Sequence, residues 1–171
     1  MEDLIYCQER IPRQQWRYGF RASAATGCGW IAAYNALRIM GREADPENLL
    51  RSFRRMLPLI HGNLGTTILA PAFYFKKRGF QVQWTACTEN FDTMAKNADA
   101  CILFYRWHQK WKIGAHFVAL HHTQAGFVGY NTYKNSKGPD RYGASLAAFL
   151  KEKKYFAPVL IAIRCPEEER T

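Results

Sequence analysis

Apolar residues Trp30, Ala33, Tyr34, Leu37 and Met40 recur at the spacing of one helix face. The pattern predicts a helix that begins near Cys28, with Thr26 as its cap and Gly41 in the left-handed position that ends it. In "ADPENLLRSFRRM", Asp45 has the side chain of a helix cap and Pro46 stands at the favoured first helical position. A third helix is expected over 67–78, with Pro71 in its first turn and Gly79 closing it.

Beyond Gly79 the period changes. "FQVQWTAC" alternates, placing Phe80, Val82, Trp84 and Ala86 on one face of a strand. "ENFDTMAKNA" reads as a short helix or loop and "ACILFYRW" as a buried strand. "AHFVALHH" and "GFVGYNTY" form a hairpin joined through residues 123–126, "ASLAAFLKEKK" a late helix, and "PVLIAIRC" a last strand. Helices come first and a mostly antiparallel sheet second, so the predicted class is α+β. No internal repeat or low-complexity linker divides the chain, and 171 residues are expected to form a single domain over 1–171.

Composition changes this picture in two places. Five cysteines at 7, 28, 87, 101 and 165 form no CxxC pair. An odd, scattered set argues against a disulfide framework and a zinc site, so free thiols, a cytoplasmic setting, and neither metal nor cofactor are expected. The charge of +10 raises the question of nucleic acid, but the basic residues are dispersed through "RSFRR", "KKR", "RWHQKWK" and "KEKK". Such a surface favours an acidic partner without defining a nucleic-acid site. No apolar run is long enough to span a bilayer, and the charged N-terminus is no secretion signal.

The candidate chemistry starts at Cys28, between Gly27 and Gly29 at the predicted helix start. A buried structural thiol is one reading, given how often cysteines are buried. A nucleophile is the other: the helix dipole and unpaired amides favour thiolate, lowering the pKa below the ordinary value of about 8.5. The same amides can hold an oxyanion, and flanking glycines let a substrate backbone approach. Of the five histidines, His116 alone opens an apolar strand, on the face of Val118 and Leu120. His61 lies in a polar loop, His108 beside a basic turn, and His121 and His122 at the far strand end.

The hairpin gives His116 a neighbour. A turn centred on Thr123 and Gln124 sets residue 131 opposite 116; a turn one residue later sets Tyr133 there and Asn131 on the diagonal. Either register puts His116 and Asn131 on one sheet face, where the carboxamide can orient the imidazole.

"GCGWIAAYNALRIMG", followed by "GAHFVALHHTQAGFVGYNTY", resembles the papain-like cysteine peptidase superfamily. Within it, the pieces are most similar to the bacteriocin-processing peptidases that cut after a double-glycine leader. "GNLGTTILAPAFYFKKRGFQV" is similar to a further stretch of that family, and the likeness spans about residues 20–135. It implies a papain-like fold, with the nucleophile at a helix N-terminus packed on the sheet. It also implies Cys28 as nucleophile, His116 as general base then acid, Asn131 as orienter, and a peptide or protein substrate. Gly27, Gly29, Trp30 and Ala115 would line the substrate groove.

The family usually carries a glutamine several residues before the cysteine to complete the oxyanion hole. Here "RASAATG" has none, Gln14 and Gln15 stand too far upstream, and Arg21 or Ser23 would have to substitute. Gly27 and Trp30 also replace the family's usual acidic residue and its proline or alanine. The expected function is a cysteine peptidase or amidase acting through an acyl-enzyme. Its alternatives are a papain-fold acyltransferase and an inactive binding module that docks an acidic partner on its basic surface.

Overall fold

The computed structural model describes residues 4–18, 20–56 and 66–166. His61 and residues 62–65 of the family-like stretch lie outside them. After one 3-10 turn over Gln8–Arg10 come the two-residue strands β1 (Arg17–Tyr18) and β2 (Arg21–Ala22), then α1 (Ser23–Thr26) and α2 (Cys28–Ile39). The order continues with α3 (Pro46–Arg55), α4 (Ala70–Lys76), β3 (Gln81–Thr85), α5 (Phe91–Lys96), β4 (Ala100–Gln109) and β5 (Lys112–Thr123). It closes with β6 (Gly126–Tyr130), β7 (Asp140–Gly143), α6 (Leu146–Glu152) and β8 (Phe156–Arg164). The predicted α+β class is the one observed.

The punctuation residues work as their chemistry suggests. Asp45 Oδ1 accepts from the Glu47 amide at 2.9 Å, capping α3, and Pro46 occupies its first turn. Gly41 and Gly79 adopt φ of 70° and 83° just after α2 and α4. Pro71 delays the third helix, which starts at Ala70 rather than Thr67. Thr26 does not cap α2. It ends α1 instead, Gly27 holds the cap position without a side-chain bond, and Thr26 Oγ1 is buried without a partner.

The larger sheet has the order β3-β8-β4-β5-β6-β7, antiparallel throughout. Its central strands are buried on both faces. Ile102, Phe104, Phe117 and Ala119 join a core with α2, α3 and α4, whereas Cys101, Leu103, Val118 and Leu120 join a second core with α5 and α6. This two-sided burial explains why "ACILFYRW" shows no alternation. The edge strand β3 keeps the predicted alternation only in part, because Trp84 at its outer end is exposed.

Helix α2 is buried over residues 29–37, not along one stripe. Its single polar residue there, Asn35, is wholly buried and needs partners. They come from the N-terminal segment: the Ile5 amide donates to Asn35 Oδ1 and Asn35 Nδ2 donates to the Ile5 carbonyl, both at 2.9 Å. Residues near the N-terminus are thereby strapped to the helix that begins with Cys28.

Candidate active site

The hairpin adopts the second of the two predicted registers, with Thr123 opposite Gly126 and Ala119 opposite Tyr130. The ladder between β5 and β6 stops there. Continued, it would carry Asn131 along the strand; instead Asn131 takes φ 64°, a left-handed conformation that asparagine tolerates better than most residues. The chain leaves the sheet at this residue, and the edge of β5 beyond Ala119 is left to other partners. His116 belongs to that stretch of β5, and the Phe117 backbone next to it hydrogen bonds the Cys28 thiol.

The expected carboxamide–imidazole pairing is not the one formed. Asn131 presents its main-chain carbonyl to His116 Nε2 at 2.5 Å. A carbonyl only accepts, so Nε2 carries the proton and Nδ1 is left as the basic nitrogen. The Asn131 carboxamide turns to Gln8: Oδ1 accepts from the Gln8 amide at 2.7 Å, and Nδ2 donates to Gln8 Oε1 at 3.1 Å. Gln8 Nε2 in turn donates to the Ala24 carbonyl at 3.1 Å. The positive φ of Asn131 accounts for the exchange, since it rotates the carbonyl toward the ring and the side chain toward the N-terminal strap.

Cys28 opens α2 and is half-buried against the first core. The backbones of Phe117, Gly29 and Cys28 itself hydrogen bond the thiol and pull its pKa down, but burial outweighs them and pushes it up to about 11. The acidic thiol expected from the helix start is therefore corrected. Burial also lowers the His116 pKa below its ordinary 6.5, against the upward pull of the Asn131 carbonyl. Both shifts favour a neutral thiol and a neutral imidazole at rest. Phe117 follows His116 on β5, but the two side chains take opposite faces: Phe117 joins the first core with Cys28, whereas the His116 ring lies beside Tyr105 of the second.

The flanking glycines are closely packed. A Cβ at Gly29 would run into the side chain of Thr66, and one at Gly27 would meet the Ser23 carbonyl at 2.6 Å and the Trp30 indole nitrogen at 2.7 Å. Trp30 is wholly buried, with its indole N–H donated to Ser23 Oγ at 3.1 Å. Gly27, Gly29 and Trp30 are absent from the cavity wall around His116, and Ser23 Oγ accepts from Trp30. Arg21 is exposed on β2. Of the residues expected to meet substrate, Ala115 alone lines the cavity beside His116.

That cavity measures about 690 Å³, and its walls include Gln8, Tyr105, Trp107, His116 and Asn131. Tyr155 also lines it, stacked on Tyr105 at 4.2 Å. Gln8 is the site residue that reading the sequence missed. It lies 20 positions before Cys28, and its neighbours form no recognisable motif. The one available signal was Asn35, a polar residue in an apolar helix that calls for a distant backbone segment.

No protein-family model matches the chain, and no curated protein matches it. Solved structures do. The peptidase domain of Streptococcus ComA, a bi-functional ABC transporter involved in quorum sensing, superposes with a TM-score of 0.55 at 13% identity, over 84% of this chain and 93% of that one. A double-glycine-motif protease from an AMS/PCAT transporter, solved in complex with the leader peptide, gives 0.52 at 12% identity, over 90% and 94%. The fold is that of a double-glycine peptidase domain. The shared fold agrees with the papain-like architecture that the resemblance of the sequence pieces implied. Among the described residues, no helix is long and apolar enough to cross a membrane.

Proposed function

We propose that the chain is a cysteine peptidase that cleaves a peptide bond through Cys28 and His116. The observation that carries the reading is the Asn131 carbonyl on His116 Nε2. It fixes the tautomer with a basic Nδ1, at the strand edge whose next residue hydrogen bonds the Cys28 thiol. In this reading Nδ1 takes the thiol proton as sulfur attacks the scissile carbonyl, and the amides at the start of α2 face the developing oxyanion. The imidazolium then gives its proton to the leaving amine. Water, deprotonated by the same nitrogen, hydrolyses the thioester and restores the thiol.

Asn131 acts here as an orienter through its main chain, held in place by Gln8. The Gln8 carboxamide is engaged with Asn131 and Ala24, so the oxyanion is left to the amides at the start of α2. The leader peptide bound by one structural neighbour supports a peptide substrate, and a segment ending in two glycines is the first to try. Cys28→Ala should abolish cleavage of such peptides while the circular dichroism and urea midpoint stay near those of the parent. Cleavage that persists in Cys28→Ala would remove the nucleophile from the account.

A further inference from the structure

The hairpin between β4 and β5 carries a feature that peptide cleavage does not use. Gln109 pairs with Lys112, so Lys110 and Trp111 form the tip, with Lys110 at φ 53°. Trp111 is 98% exposed and Ile113 61% exposed. The arm is not loose: Trp107 covers Gly114, its partner across the ladder, filling the space any side chain there would need. A stiff arm therefore ends in a large aromatic group that is almost wholly exposed among the described residues.

The surroundings of the tip are basic. Arg106, Lys110 and Lys112 are exposed on the arm, and the chain has no acidic residue between Asp99 and Asp140. At the same end of the sheet, Phe156 is partly exposed beside Arg106, its ladder partner. Lys153 and Lys154 precede it, with Lys153 paired to Glu152 at 2.9 Å. Lys153 also shares the cavity wall with Trp107, His108 and Gln109.

We infer that this hairpin tip docks on an anionic lipid surface, with Trp111 and Ile113 entering the headgroup layer and the lysines meeting the lipid charges. A projecting tip suits a planar, deformable partner, since a bound peptide side chain needs a concave site and Trp111 offers none. Tryptophan and isoleucine flanked by lysines match the interface between hydrocarbon and charged headgroups. Because the arm also walls the cavity, docking would set the cavity mouth beside the membrane.

Flotation with phosphatidylcholine vesicles containing about three-tenths phosphatidylserine tests this. The full chain should float with these vesicles at low salt, bind pure phosphatidylcholine far less, and release as salt rises. Lys110→Gln/Lys112→Gln should weaken binding about thirtyfold, and Trp111→Ala at least about tenfold. All three positions are exposed, so the variants should keep the parent's urea midpoint and its peptidase activity on soluble peptides. Absence of flotation overturns the inference, as does binding that ignores both variants. Binding of polyglutamate through the same residues, without vesicle binding, also overturns it and assigns the tip to an acidic polypeptide.

Discussion

Replacing His116 by alanine should lower kcat for a cleaved peptide by about a hundred- to ten-thousand-fold at neutral pH, the usual weight of a positioned general base. The pH profile distinguishes this from mere damage. In the parent, the imidazole accepts a proton only when neutral, and burial holds its pKa below 6.5, so the acid limb should lie below that value. The alkaline limb should follow the thiol, which burial raises to about 11. The expected result is a broad plateau across neutral pH. Without His116 the plateau should vanish, and residual activity should climb toward about pH 11 as thiolate forms unaided. The deficit of His116→Ala therefore shrinks as pH rises. A uniform loss across pH would mean that the ring serves only to hold the strand edge.

Trp30→Ala should cost about 3–5 kcal/mol, read from urea denaturation. The ring is fully buried, packs edge-on against Trp16 at 5.5 Å, and bonds Ser23 across Gly27. Its loss leaves a large cavity under α2 and strips the buried Ser23 hydroxyl of its donor. Against a total stability of about 5–15 kcal/mol, this brings the fold close to unfolding at ambient temperature. Trp30→Phe keeps most of the apolar volume and loses the indole N–H, so it should cost about 1–2 kcal/mol. These two variants separate packing from the hydrogen bond that ties α1 to the start of α2. If Trp30 met substrate instead, Trp30→Ala would raise KM and leave the urea midpoint unchanged.

Much of the fold was legible because its signals are local. Asp45, Pro46, Gly41 and Gly79 mark helix ends by chemistry that acts within one turn, and the run in β4 announces a strand buried on both faces. The hairpin register was narrowed to two options by a turn of fixed length. The elements that escaped reading carry no periodicity: β1 and β2 have two residues each, β7 four, and α1 a single turn. Cys28 and His116 could be singled out from their settings, but the way they are held could not. That depends on Asn131 entering the left-handed region and on Gln8 closing a contact across 123 positions. Neither follows from nearest neighbours. The packing at the glycines is hidden for a similar reason, since only the folded structure brings Thr66 and Trp30 beside them.

Cys28 is proposed to be a nucleophile served by His116, and that pairing leaves a chemical signature. The pairing is tested most directly by intact-mass analysis after exposure to a peptide that ends in two glycines and carries a thiol-trapping electrophile in place of the scissile bond. One adduct per chain is expected, mapped to Cys28 and absent in Cys28→Ala. At neutral pH the adduct should form far more slowly in His116→Ala. Labelling spread over Cys7, Cys87 and Cys165, or a Cys28 adduct that forms equally fast without His116, would contradict that pairing.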